Sequence, residues 1–460
     1  MATTYLTRTP SSAGGQRTLT WSYWIKKNPG TPSSTYKLFD CGNSTNYFTI
    51  YFPDTHTLTV KGRLANSTVL ELVTTQCFRD TGWYHFVITL DTTQASSSDR
   101  CKIYVNGTQI TTFATSSYPS QDADFELQDT SLPWLIGCKY DQSAGEFFDG
   151  VMAAVECTDG TAYDASAFGS FNSTTGIWVP NTSPSVTYGT NGFKLDFANS
   201  SDMGNDVSGN ANDFTVGGGT LTQTEDCASN CFPTFNPNTT EMWANKSVTL
   251  SDILTNGNTT FQTSSNEQIA VSTIGVTKGK FYWEGKIIDH ARLMWGIGNQ
   301  NMWLSSSNPP YDDNYDAVIW FYCSNGNINF NNGNSQSSGV TVTGGDILQC
   351  ALDMDNYKLY FGKNGTWMNS GDPTSGSTGT GSITNLQANS DLVLSNYGPV
   401  FSVAADTSTS DNAGVYMNWG NGYFGSTAIA SEGTNASGIG KFEYDVPTGY
   451  TAMSTKGLNN

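Results

Sequence analysis

From Thr18 to Lys27 apolar and polar side chains alternate: Leu19, Trp21, Tyr23 and Ile25 fall on one side, Thr18, Thr20, Ser22 and Lys26 on the other, with Trp24 the exception. A period of two predicts a strand with one buried face. The texture returns at 47–52, 57–61, 69–74, 83–90, 102–105, 134–136 and 150–155, in runs rich in β-branched and aromatic residues closed by Gly, Asn, Asp or Ser. Asn106-Gly107 after Lys102-Ile103-Tyr104-Val105 predicts a type I′ hairpin, since both central residues must take positive φ. At 192–197 a last apolar strand gives way to a run of turn formers, 199–210, that cannot bury a core. Beyond Phe235 strands are predicted on either side of Lys278-Gly279 and at 293–298, 317–322, 345–355 and 358–365. The pattern predicts an all-β chain of two antiparallel β-sandwiches in tandem, over 1–197 and 235–460, with 198–234 as a Gly/Asn/Asp-rich connector.

Composition narrows this picture. With 460 residues, two large sandwiches fit better than three small domains, and 22 Tyr, 24 Phe and 12 Trp against 13% charged residues favour packed sheets over disorder. A net charge of −19 sets the chain against phosphate backbones and anionic membranes, so no nucleic acid and no membrane insertion are expected among its partners. The nine cysteines are odd in number and scattered through strand-like segments, as buried free thiols are; Cys227 and Cys231 lack a second Cys or His pair nearby and are read as two thiols. The N-terminus has neither a basic nor an apolar signal region, and no stretch reaches the ~18 apolar residues of a bilayer span.

The blocks Thr18–Lys27, Gly82-Trp83-Tyr84-His85-Phe86-Val87, Lys102–Gly107 and Phe148-Asp149-Gly150-Val151-Met152-Ala153 resemble, in order, those of laminin-G-like, concanavalin A-like lectin/glucanase domains. That resemblance implies a jelly-roll sandwich that binds glycans or proteins and in some branches cleaves glycans. Gly279-Lys280-Phe281-Tyr282-Trp283-Glu284, Trp295-Gly296-Ile297-Gly298, Ala351-Leu352-Asp353-Met354-Asp355, Leu359–Gly365 and Val415–Gly420 are similar to the blocks of a SPRY domain, a non-catalytic scaffold that recognises partners through loops at one end. The order of the two domains resembles structural proteins of marine bacteriophage virions, of tail-fibre or other virion-surface type. The resemblance implies a virion location after assembly in the host cytoplasm, with other virion proteins and a host surface glycan or protein as partners.

Retaining glucanases need two carboxylates about 5 Å apart, and this fold's enzymes carry them in a Glu-x-Asp-x-x-Glu-like run. No such run occurs; Asp122, Asp124, Glu126 and Asp129 lie in a polar stretch that reads as a solvated loop. His85 reads as a packed, hydrogen-bonded residue within a strand. The chain is therefore expected not to be an enzyme. Trp303, Tyr311, Asp312, Asp313, Tyr315 and Asp316 combine ring faces with carboxylates, as a sugar- or protein-binding surface needs, and could equally plug the sandwich end. Asp206, Ser208, Asn210 and Asp213 space oxygen donors about a Gly, as calcium requires or as an Asx-held turn produces. No cofactor is expected beyond that open calcium reading. No heptad or triple-stranded pattern specifies an oligomer, so a homo-oligomer stays open. The leading expectation is a tail-fibre or appendage protein for host attachment; capsid decoration and glycoside hydrolysis are the alternatives.

Overall fold

Thr18–Lys27 forms a ten-residue strand inside a six-stranded antiparallel sheet, between Gly150–Asp159 and Trp83–Asp91. Leu195 pairs beyond Gly150–Asp159 through the strand Phe193–Leu195, and Cys101–Val105 and Thr108–Ile110 complete the other edge. The last two are joined by the expected hairpin, with Asn106 at φ 47° and Gly107 at φ 80°. Facing this sheet is an eight-stranded one, in the order Phe113–Ser117, Ser67–Cys77, Thr57–Leu64, Tyr47–Phe52, Tyr36–Gly42, Trp134–Ile136, Tyr5–Arg8, Thr215–Gly217. Between them Trp21 stacks on Phe48 at 4.8 Å, and Phe39 meets Trp134 edge-on at 5.6 Å. Each such ring taken out of water contributes about 1.5–3 kcal/mol.

The computed structural model describes residues 3–28, 35–125, 127, 129–142, 146–237, 253–264, 268–299, 318–330, 334–383, 398–406 and 411–459. It divides into two compact units, 1–223 with 227–229 and 224–226 with 230–460. The first unit thus runs past the expected boundary at 197. Phe214 packs edge-on against Phe193 at 4.6 Å, and Thr215–Gly217 adds a strand beside Tyr5–Arg8, with Leu6 opposite Val216. A Phe and a Val among the turn formers suffice to dock the first half of the connector on the first core.

A second departure concerns Thr18–Lys27, which is buried on both faces rather than one. Its polar side includes Ser22, 1% exposed, and Lys26, 4% exposed. On the outward side of that sheet, residues 163–186 pack Ala165, Phe168 and Trp178 over Val87 and Tyr104. The alternation in 18–27 is that of a half-buried strand, and a segment some 150 residues away supplies the second cover.

The second unit is another pair of facing sheets. One holds Leu254–Thr255, Thr260–Ser264, Asn412–Asn418, Lys280–Asp289, Ile347–Asp353, Lys358–Lys363 and Thr366–Trp367 in that order, with Thr451–Ala452 parallel to Lys280–Asp289. The other is Gln268–Val276, Val400–Asp406, Leu293–Asn299, Val318–Tyr322, Asn327–Phe330 and Asn334–Ser337. The Lys278-Gly279 turn, with Gly279 at φ 90°, carries the chain from one sheet to the other. Trp283, Trp295, Phe361 and Trp419 fill the space between. On the far side of the first of these sheets the fully buried Glu284 accepts hydrogen bonds from Tyr282 Oη at 2.9 Å, Asn418 Nδ2 at 3.3 Å and the backbone N–H groups of Glu443 and Tyr444 at 2.9 and 2.8 Å. It thereby pins the 441–446 segment to the strands beneath.

Candidate binding face of the first unit

Strand Tyr47–Phe52 alternates Phe48, Ile50 and Phe52 into the core with Tyr47, Thr49 and Tyr51 outward. Register extends the outward positions across the eight-stranded sheet. Tyr51 lies between Lys37 and Thr59, Thr49 between Asp40 and Lys61, and Tyr47 opposite Arg63, while Lys61 pairs onward with Glu71. The result is a continuous face of two half-buried phenol rings among charged and hydroxyl side chains. On the opposite sheet, residues 163–186 pack over the outer side at Val87 and Tyr104.

Charge on this face is arranged in two groups. Lys61 Nζ meets Glu71 Oε1 at 2.8 Å, and that bond raises the lysine's pKa. Lys37 Nζ lies 3.4 Å from Asp40, 3.5 Å from Glu146 and 3.1 Å from Thr49 Oγ1, over the Tyr51 ring at 4.4 Å. Lys139 joins Glu146 to Asp141 at 3.1 and 3.2 Å. Burial raises the Asp40 carboxyl to about 6, with Lys37 the main opposing influence. The Tyr51 hydroxyl is also pushed up by burial, with Lys61 opposing and Glu71 and Tyr47 adding to the rise. Lys61, Glu71 and Tyr51 remain partly exposed and can donate and accept hydrogen bonds while a ring edge or face packs on C–H groups. Asp40 is 1% exposed and bound by Lys37 and the Tyr140 N–H, so it does not reach a substrate.

His85 answers a second chemical question. Trp178 Nε1–H donates to its Nδ1 at 3.0 Å, and an indole nitrogen can only donate. The ring proton therefore sits on Nε2 and is given to Ser22 Oγ at 2.9 Å, the reverse of what an activated serine needs. Stacked on Trp24 at 4.7 Å and held to about 3 by burial, His85 is a neutral packing residue, as its place in the strand implies.

Of the residues expected to form sites, Trp303, Tyr311, Asp312, Asp313, Tyr315 and Asp316 lie outside the described residues. The other set is brought together. Asp206 Oδ1 accepts the Lys194 and Ser208 N–H groups at 2.8 and 2.9 Å, and Oδ2 accepts Ser208 Oγ and the Asn212 N–H at 2.9 and 2.8 Å. Asp213 Oδ1 takes the Asp206 N–H at 2.9 Å, while Asn210 Nδ2 donates to the Gly189 and Gly192 carbonyls at 2.7 and 2.9 Å. Arg8 reaches in to bond Asn191 and Asn212. This is the hydrogen bonding of an Asx-held turn, and among the described residues no group of three or more His, Cys, Asp or Glu side chains is gathered for a metal. Asp122 and Asp124 are exposed, while Phe125 and Leu127, which follow them, enter the core. Among the described residues the cysteines form no disulfide.

Neither carboxylate spacing nor loop composition marks the tyrosine face; its signal is the period-two placement of Tyr47, Thr49 and Tyr51 opposite three core residues. Residues 2–162, which build almost all of both sheets of the first unit, match the laminin G-type family model described as the concanavalin A-like lectin/glucanases superfamily. The first unit carries a laminin G-like domain. Solved structures resembling the chain include domains LG4-5 of the mouse laminin α1 chain, at 10% identity over 96% of this chain and 92% of that one with a TM-score of 0.28. A human SPRY domain is similar at 17% identity over 36% and 94%, TM-score 0.26. The heptameric SAP-like pentraxin of Limulus polyphemus is similar at 15% over 39% and 92%, TM-score 0.26. The laminin G-like domain thus has one sheet over which residues 163–186 pack and, on the other, half-buried Tyr47 and Tyr51 with partly exposed Lys61 and Glu71 beside the buried Lys37, Asp40, Thr49 and Thr59.

Proposed function

We propose that the chain is a non-enzymatic binding protein of a bacteriophage virion surface, of tail-fibre or appendage type, and that its laminin G-like domain holds a host glycan on the face of Tyr47, Tyr51, Lys61 and Glu71. The observation that carries the binding reading is the contrast between the two sheets: residues 163–186 pack over the outer side of one, and on the other two half-buried tyrosines stand beside the partly exposed Lys61 and Glu71. Sugar rings present C–H faces and hydroxyl edges, and this face offers partners for both. A histidine whose proton points at its serine, and a raised carboxyl out of solvent's reach, agree with binding rather than cleavage. The virion setting rests on the order of the two domains in the sequence.

Binding of labelled protein to intact host cells tests the reading. Tyr51→Ala combined with Glu71→Ala is expected to weaken it at least tenfold with the thermal midpoint little changed; undiminished binding would overturn the assignment. Copy number on the purified particle separates attachment, with few copies at the tail, from capsid decoration, with many over the lattice.

A further inference from the structure

In the second unit a groove of about 490 Å³ opens where the Lys278-Gly279 turn, the turn at Asp355 and the last strand Thr451–Ala452 meet, within the size range of small-molecule sites. Its lining is mixed in a specific way. Lys278 stands on the rim, exposed, and has no ion pair among the described residues. Asp355 lines the same groove, and its Oδ1 accepts the Gly279 N–H, one residue from Lys278, at 2.8 Å. Leu458, 38% exposed, supplies an apolar wall.

We infer that this groove binds one anionic sugar residue, its carboxylate or sulfate on Lys278, a hydroxyl on Asp355, and its C–H face on Leu458. A lone ammonium in a chain of net charge −19 attracts an anion that the protein does not itself supply. The Asp355 carboxylate, by contrast, repels an anion and accepts hydroxyl protons, so the pair of charges sets which group of the sugar faces which side chain. Lys280 adds positive charge from within, held on Asp353 at 3.0 Å and over the Tyr450 ring at 5.8 Å. The inference is independent of the tyrosine face, which lies in the other unit.

Titration calorimetry of the full chain with glucuronate, galactose 6-sulfate and glucose tests it. The expected result is binding of one or both anionic sugars, at least tenfold tighter than glucose. Binding of glucuronate alone marks a carboxylate site and of the sulfate alone a sulfate site. Lys278→Glu is expected to abolish that binding and leave the melting temperature unchanged. No binding of either anion, equal binding of glucose, or binding unaffected by Lys278→Glu would overturn the inference. The Tyr51→Ala, Glu71→Ala protein should bind the anionic sugars like the unaltered chain, which separates failure here from failure of the sheet-face reading.

Discussion

Glu284 shows how a single buried group writes pH into a fold. Burial raises its carboxyl from 4.5 to about 7, against the pull of four donors. A folded pKa above the unfolded one means that the folded state holds the proton more tightly. The associated stability is fully present below about pH 4.5 and is lost as the pH rises through about 7. The pH-dependent part amounts to about 3 kcal/mol. Glu284→Gln removes the titration and sets an amide N–H against backbone donors, a constant cost of about 1–3 kcal/mol. The stability difference between unaltered protein and Glu284→Gln, measured by urea unfolding at pH 5 and pH 8, is therefore expected to shrink at the higher pH. A difference independent of pH would show that Glu284 is ionised throughout.

At the scale of elements, the hairpin of Gly169–Phe171 and Trp178–Pro180 is held to the sheet by one indole. A Cβ on Gly107 would come within 2.4 Å of the Trp178 ring, and one on Gly169 within 2.5 Å, so both glycines make room for it. Gly107 also sits at φ 80°, where a side chain is strained. Trp178→Ala is expected to cost about 2–4 kcal/mol in thermal or urea unfolding, and Gly107→Ala about 1–3 kcal/mol. The loop at Asp206 makes the opposite kind of statement. Its carboxylate oxygens are each engaged twice by the chain's own donors, so adding calcium or a chelator is expected to leave the melting temperature unchanged. A calcium-dependent rise would assign the loop to the ion. Strand positions were legible because period-two patterns such as 18–27 and 47–52 are local. The cover over Ser22 was not, because it comes from residues 163–186, and no local pattern reports who packs on a strand's polar side. The same holds for Thr215–Gly217: three residues in a turn-rich run acquire strand character only from Tyr5–Arg8. The tyrosine face was half legible, since the outward placement of Tyr47 and Tyr51 is a local property and their company of Lys37, Lys61 and Glu71 is a matter of register.

For the whole molecule, two separate hydrophobic cores predict two unfolding events, with Trp178→Ala lowering one and Glu284→Gln the other. A single calorimetric transition shifted by both would show that the units unfold together. Neither core carries the proposed function, which rests on the outward sheet face of the laminin G-like domain at Tyr47 and Tyr51. Hydroxyl-radical footprinting of the full chain, with and without host cells or their extracted surface polysaccharide, asks this directly, because partly exposed tyrosines are oxidised unless covered. Protection at Tyr47 and Tyr51, with the exposed Phe171 unprotected, is the predicted result. Bound protein in which Tyr47 and Tyr51 are oxidised as fast as in the free chain would contradict it.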